Sequence, residues 1–532
     1  MNIEQLPIVA SIIISPISFV VYSSKQIVYY LHMLQLNSYR NERFIAWLNT
    51  SIVARLRFTS LLPLVAIVFY NDFRFLFWWG VVYLVLFYFR KEEPQKKPFV
   101  YTARVKRLIS LIVICTLLMM WGLSGLIQTD VFLFELFFLS ILLFGFPYFL
   151  IAVNAVAVPV EKTIGKLYVK DAQRHIKELS TLKVIGITGS YGKTSSKFIL
   201  QQLLSMQYNS LMTPESFNTL MGVTMVVREQ LKPIHEFFIV EMGAKQKGDI
   251  KEICDLVHPG IALLTTIGQQ HLETFKTLEN IKETKSELVY SLPQTGIAFL
   301  NADDINQSGL EGKIPGRVVR YGIKNAQADY RAYDINMDLE GLTSFKIDVP
   351  GGGLIKLETQ LLGTHNVYNI LAAVSIAVEL GVDRDKIFIA VRQLKPVPHR
   401  LNLKKLDTGI FILDDAFNSN PKGAASAIDV LCNLKGNRKI VITPGMVELG
   451  EIEIQENKKF GQAMSKCVDY VILVGKSVQT QAILEGLNAE GYNENKVYVA
   501  KNFSDANQHY QSMLTRGDIV LYENDLPDTY NT

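Results

Sequence analysis

Thirteen residues, Gly186 to Phe198, read GITGSYGKTSSKF. Two glycines precede a Gly-Lys-Thr triplet, and the residues that follow carry a helical pattern. Gly186, Gly189 and Gly192 let backbone N–H groups turn inward toward phosphate oxygens, and the N-terminus of the helix adds the positive end of its dipole. Lys193 is then placed to reach β- and γ-phosphates, and the Thr194 hydroxyl to bind Mg²⁺. Ser190 and Ser195 complete the cradle. The spacing is GxxGxxGKT: Ile187 stands where the first glycine of the commoner GxxxxGK[ST] loop falls. Glu241 closes the run FFIVE, where a strand-end carboxylate beside a phosphate loop can hold Mg²⁺. From these residues alone it is equally an ordinary strand-end glutamate.

A phosphate loop works only if a strand and a helix hold it. KVIGIT before the loop is a short, continuously apolar run, as expected of a buried parallel strand, and SSKFILQQLLSM after it reads as a helix. The strand-like runs FFIVEM, IALLTTI and GIAFLN then alternate with helical stretches. That alternation predicts a parallel sheet with helices on both faces. No repeat or low-complexity tract interrupts it.

The first third of the chain differs. Of 532 residues 49% are hydrophobic, the mean hydropathy is +0.19, and the apolar residues crowd into the first 157 positions. Five candidate spans are Leu6–Ser23, Phe58–Tyr70, Phe75–Phe89, Leu108–Ile127 and Val131–Val153, against the roughly 20 apolar residues that cross a hydrocarbon core. The second is short. Lys25, Arg40, Arg43, Arg55 and Arg57 lie between spans one and two. Arg90, Lys91, Lys96, Lys97, Arg104, Lys106 and Arg107 lie between three and four. Basic loops stay cytoplasmic, so five spans predict an N-terminus outside, a multi-pass location in the cell membrane, and everything after Val153 inside. The alternative is a buried, all-helical soluble domain. Glu4, with no Lys or Arg near it, speaks against a signal peptide. The expected organisation is a membrane region over 1–157, a linker helix over 158–180, a central nucleotide-binding domain over 181–398 and a C-terminal domain over 399–532.

The loop GITGSYGKT resembles that of the Mur ligases, ATP-dependent enzymes that build the peptide of the bacterial cell wall. SFNTLMGV (216–223), EMGAKQKGDI (241–250), IGQQHLE (267–273), KSELVYSLPQTGIAFLNADD (285–304), LLGTHNVYNILAA (361–373), DDAFNSNP (414–421) and GMVELGE (445–451) extend the resemblance in order. They are most similar to the branch that adds D-alanyl-D-alanine to a UDP-N-acetylmuramoyl-tripeptide. The resemblance implies a P-loop central domain, a Rossmann-like C-terminal domain, ATP and two Mg²⁺ ions. It makes Glu241 and His271 metal ligands, and Lys285 a lysine that reacts with CO₂ to give a carbamate ligand. It makes Asn369 the adenine contact, Arg400 an arginine reaching the phosphates, and Asp415 the ribose-binding carboxylate, with Asn301 a weaker candidate. Without the resemblance, His271 reads as a structural or exposed histidine and Lys285 as a solvated lysine. Asn369 reads as a helix-surface residue, Arg400 as a surface charge, and Asn418 and Asn420 as turn and capping residues.

The implied reaction activates an acceptor carboxylate as an acyl phosphate and joins it to an amino acid or a dipeptide such as D-Ala-D-Ala. The family's uridine-nucleotide domain is replaced here by the apolar region. The implied acceptor is therefore a lipid-linked or polymeric carboxylate as readily as a UDP-sugar. Two further departures are Ala416 and Phe417 where Ser and Tyr are usual, and the ending YENDLPDTYNT in place of a basic one. A poly-γ-glutamate synthase-like membrane ligase and a non-catalytic nucleotide-binding scaffold are the rival readings. A net charge of +4 gives no global field for nucleic acid. Cys115, Cys254, Cys432 and Cys467 form no CxxC pair, which predicts neither a zinc ribbon nor a disulfide framework and fits a reducing compartment. The oligomeric state is left open.

Overall fold

The computed structural model describes residues 6–50, 58–69, 74–89, 98–126, 131–214, 217–268, 272–337, 342–395, 401–416 and 420–524. The chain divides into two compact units, Met1–Leu167 and Tyr168–Thr532.

The first unit is helical: α1 (Leu6–Leu36), α2 (Asn41–Thr50), a 3₁₀ helix (Phe58–Phe69), α3 (Arg74–Tyr88), α4 (Ala103–Leu126), α5 (Val131–Phe144) and α6 (Phe146–Glu178). Among the described residues two helices are long and apolar enough to cross a membrane, Ala103–Gly125 and Phe146–Glu178. Two of the five expected segments differ in the structure, the second and the fifth. The second segment is 3₁₀ rather than α-helical, and 12 residues long. The third is an α-helix of 15 residues, as long as the expected stretch, about 22 Å at 1.5 Å per residue. The fifth is divided at Gly145, between α5 and α6. The sixth helix then runs on through Pro159, because a proline removes one N–H donor without preventing the flanking residues from keeping theirs.

Polar side chains inside this unit bond to one another. Trp79 Nε1 and Tyr83 Oη both donate to Ser140 Oγ, at 3.1 and 3.0 Å. Ser60 Oγ donates to Gln26 Oε1 at 3.1 Å, while Gln26 Nε2 donates to the Leu143 carbonyl at 3.0 Å. The outside is apolar: Trp121 is 77% exposed and Leu117 60%.

The second unit begins with the last turns of α6. Ala172 and Ile176 are buried in an apolar core, Gln173 Nε2 donates to the Asp255 carbonyl at 3.0 Å, and Arg228 pairs with Asp171 at 2.6 Å. The stretch expected as a linker thus ends as part of the α/β core. Nine strands form the first sheet: β1 (Lys183–Thr188), β2 (Ser210–Met212), β3 (Phe237–Glu241), β4 (Ile261–Leu264), β5 (Ile297–Asn301), β6 (Arg317–Gly322), β7 (Tyr330–Met337), β8 (Thr343–Val349) and β9 (Gly353–Thr359). Their order is β2-β3-β1-β4-β5-β6-β7-β8-β9. The strands from β2 to β7 pair in parallel, and β8 and β9 add antiparallel. β1 sits between β3 and β4 with five of its six residues buried, which is why it reads as an unbroken apolar run.

Around this sheet pack α7 (Lys193–Ser205), α8 (Leu220–Glu229), α9 (Asp249–Val257), α10 (Leu278–Tyr290) and α11 (Thr364–Glu379). The second sheet has order β10-β11-β15-β12-β13-β14. Its strands are β10 (Asn402–Lys405), β11 (Phe411–Asp415), β12 (Lys439–Thr443), β13 (Tyr470–Val474), β14 (Val497–Ala500) and β15 (Ile519–Glu523). All its pairs are parallel except β10 with β11. Next to it α12 (Pro421–Asn433) starts on an Asn420 cap. The expectation that the cysteines form no bridge is corrected: Cys432 and Cys467 are disulfide-bonded, with Cα atoms 5.6 Å apart. Their 35-residue separation hides the proximity, because the fold returns the chain past the end of α12. Cys254 is buried and free.

Candidate active site

The C-terminal end of β1 runs into the glycine loop, and α7 starts at Lys193. Gly192, the residue before it, has φ 80°, a left-handed conformation that glycine adopts without Cβ strain. The Ser190 amide donates to the Thr266 carbonyl at 2.6 Å and the Ser190 hydroxyl to that of Gly268 at 2.9 Å. Lys193 Nζ donates to the carbonyls of Gly189 (2.7 Å) and Ser190 (3.2 Å), folding back over its own loop.

β3 lies beside β1, with Ile187 opposite Glu241. That register sets Glu241 next to the first turn of α7. The Thr194 hydroxyl donates to Glu241 Oε1 at 3.2 Å and Asn218 Nδ2 does the same at 3.2 Å. Lys197 Nζ lies 3.0 Å from Glu241 Oε2, both side chains being buried. Burial works to raise the Glu241 pKa, but Lys197 and Lys193 outweigh it and hold the carboxyl below its usual range. A hydroxyl and an ionised carboxylate are hard oxygen donors that suit Mg²⁺, an ion that takes few protein ligands and completes its shell with phosphate and water. The fit of this pair is therefore good.

Lys285, on α10, is 3% exposed. Burial first, and then Lys193, bring its pKa down to about 7. It is not the solvated lysine that local spacing suggests, and it holds a neutral amine near neutral pH, as carbamate formation requires. Asn369 is likewise buried rather than on a helix surface. It lines the cavity and its Oδ1 accepts the Ser196 hydroxyl at 3.2 Å, tying α11 to α7.

A cavity of about 1260 Å³ opens beside the loop, larger than the roughly 300–1,000 Å³ typical of ligand sites. Ser190, Gly192, Lys193, Thr194 and Ser195 line it on the loop side, and Asp415, Asn420 and Glu523 on the side of the second sheet. Asp415 Oδ1 accepts the Leu401 amide at 2.9 Å. Asn420 caps α12 through the Gly423 amide at 2.9 Å and also faces the cavity, so the capping role assigned from sequence holds. Asn301 Oδ1 accepts the Asp303 amide at 3.0 Å, and Asn301 is part of the wall. His271, Arg400, Phe417 and Asn418 lie outside the described residues.

Two wall residues escaped the sequence reading. Asp303 accepts the amides of Ile323 (2.6 Å), Lys324 (2.9 Å) and Asn325 (2.7 Å) and the Tyr368 hydroxyl (2.8 Å). Burial works against its ionisation, but these bonds prevail and keep it ionised below the usual range. Its only signal was the acid pair ending LNADD. Glu523 ends β15 opposite Asp415 and is 1% exposed, though in sequence it looks like one more acid in a polar tail.

Comparison with known proteins gives concordant results. The family model "Mur ligase middle domain" matches residues 187–377, and "Mur ligase, glutamate ligase domain" matches 399–522. The UDP-N-acetylmuramoyl-tripeptide–D-alanyl-D-alanine ligase of Escherichia coli is 30% identical over 371 residues, covering 68% of this chain and 81% of that enzyme. Its Bacillus subtilis counterpart is 29% identical, covering 70% and 78%. The crystal structure of MurF from Acinetobacter baumannii superposes with a TM-score of 0.62 at 25% identity, covering 69% of this chain and 78% of that one. MurF from Thermotoga maritima, solved with ADP, shares the fold at a TM-score of 0.61 and 24% identity, over 69% and 81%.

Proposed function

Since the chain belongs to the Mur ligase family of ATP-dependent ligases, we propose that it joins an acceptor carboxylate to a D-Ala-D-Ala-like dipeptide or an amino acid at the cytoplasmic face of the cell membrane. The product enters peptidoglycan or another surface polymer. The observation that carries this reading is the Thr194–Glu241 pair beside a glycine loop whose lysine is free to exchange two carbonyl partners for phosphate. The D-Ala-D-Ala-adding relatives support the amine class. Helices apolar on the outside and hydrogen-bonded on the inside support the membrane location, since lipid-facing surfaces carry no polar groups and internal ones find partners.

In this reading Lys193 leaves Gly189 and Ser190 and neutralises the β/γ-phosphates. Thr194, Glu241 and His271 would hold Mg²⁺, and Lys285 as a carbamate would serve a second ion; the metal would supply charge neutralisation at the phosphates. The acceptor carboxylate attacks the γ-phosphorus in line, ADP leaves, and an acyl phosphate forms. The amine nitrogen attacks that carbonyl, the C–O bond to phosphate breaks and the amide remains. The chain's part is positioning and charge stabilisation. Asn369 holds the adenine, Asp415 the ribose, and Arg400 reaches the phosphates from the C-terminal domain.

A second reading concerns the acceptor. The helical unit lies in the chain before the matched domains, and in this second reading the carboxylate is carried by a lipid-linked carrier or polymer in place of a soluble UDP-sugar. Mass spectrometry of products from native membranes, given ATP and labelled D-alanine, tests both readings. A lipid-extractable product bearing D-Ala-D-Ala is expected. A water-soluble UDP-linked product overturns the second reading, and no amine-dependent ADP release with any acceptor overturns the first.

A further inference from the structure

Glu241 has partners before any cation arrives, its Oε2 through an ion pair alone. Oε1 takes two hydrogen bonds, from Thr194 and Asn218, and Oε2 takes the Lys197 ammonium at 3.0 Å. Lys197 is a different residue from the loop lysine. It sits one helical turn beyond Lys193 on α7, has no exposed surface, and projects between α7 and β3. Lys193 and Lys285 also act electrostatically on this region. Two ammonium groups, those of Lys197 and Lys193, thus act on this one carboxylate, while burial leaves Lys285 a weak base. Two other acids that act on Lys285 are engaged elsewhere: Asp249 accepts the amides of Lys245 and Gln246, and Glu287 those of Gly248 and Lys251.

A divalent ion entering alone would meet these ammonium groups at short range, in a buried site that salt screens poorly. A nucleotide changes the sign of the site: its polyphosphate draws Lys193 off the loop carbonyls and brings several negative charges. We propose that Lys197 is a resident counter-cation for Glu241, one that keeps the carboxylate closed to free divalent ions and makes metal entry depend on bound nucleotide. The inference rests on the reading of Glu241 as a metal ligand. A salt bridge that only oriented Glu241 would have the opposite signature, because its loss would weaken metal binding.

The test uses the full chain in detergent, with Mn²⁺ as the probe and its free spin-resonance signal as the readout. Wild-type protein is expected to bind Mn²⁺ about 100-fold more tightly with a non-hydrolysable ATP analogue than without. Lys197→Met should bind Mn²⁺ without nucleotide about tenfold more tightly than wild type. Lys197→Arg should match wild type, and Lys197→Met/Glu241→Gln should lose the gain. Equal or weaker Mn²⁺ binding by Lys197→Met overturns the proposal. So does a wild-type affinity indifferent to nucleotide, a measurement that stands even where Lys197→Met fails to fold. The ligand reading is judged separately: it fails if Glu241→Gln leaves Mn²⁺ binding in the presence of nucleotide unchanged.

Discussion

In the helical unit, Ser140 collects hydrogen bonds from Trp79 and Tyr83, and Gln26 links Ser60 to the Leu143 carbonyl. In the α/β unit, Lys193, Lys197 and Glu241 are drawn together beside a cavity, two ammonium groups acting on one carboxylate. Both units bury polar groups, to different ends. In these pairs the first matches neutral donors to neutral acceptors, which fixes helix against helix. The second keeps charges whose natural complement is an anion and a metal ion. Burial of polar atoms is therefore not itself a mark of function; burial of charge beside open space is.

The largest effect should come from the loop lysine. Lys193→Met is expected to lower kcat/KM for ATP-dependent ADP release roughly 10³-fold, as for loss of a main electrostatic contact to the transition state. A loss under tenfold would place Lys193 with the structural hydrogen bonds of the helical unit. Lys285→Ala should cost about 10²-fold, and it carries a pH signature. With the amine at about 7, wild-type activity in CO₂-limited buffer should fall about fivefold from pH 7 to 6 as the ammonium form takes over. Added bicarbonate should restore it, and the variant should show neither response. Stability carries the matching sign: the unfolded chain keeps this proton to about pH 10.4 while the folded one sheds it near 7. The Lys285 contribution to stability thus grows as pH rises through that window and is lost as pH falls toward 7.

Gly192→Ala is a smaller perturbation. Its Cβ would stand 2.5 Å from Asn369 Oδ1 at φ 80°, so KM for ATP should rise about tenfold through strain of about 1–3 kcal/mol. Ser140→Ala should be the mildest, lowering the thermal stability of the detergent-solubilised chain by about 1 kcal/mol with ADP release unchanged. A loss of turnover there, at temperatures where the protein stays folded, would show that the interior of the helical unit also serves catalysis.

Much of the catalytic frame was legible because its causes are local. A phosphate cradle needs glycines, a strand before it and a helix after it, and all of these stand together in GITGSYGKTSSKF. Glu241 was legible as the end of a strand. Lys285 was not, since its helix is amphipathic and only packing decides that this face is buried. Asp303 and Glu523 escaped for a related reason. One gains its partners from amides some twenty residues on, and the other is defined by the strand pairing with Asp415. The helical region was legible as apolar, but its segments were not. The 3₁₀ turn geometry of Phe58–Phe69 and the break at Gly145 depend on how helices pack, and hydropathy averages over both.

By itself, the sequence determined that an apolar third precedes an α/β region built on a GxxGxxGKT phosphate loop, because periodicity and loop composition are properties of neighbours along the chain. Tertiary structure decided which charges meet. The register of β1 on β3 sets Glu241 against Thr194 and Lys197, burial makes Lys285 a weak base, and chain return joins Cys432 to Cys467. Those outcomes depend on distances between residues far apart in sequence, which spacing along the chain does not encode.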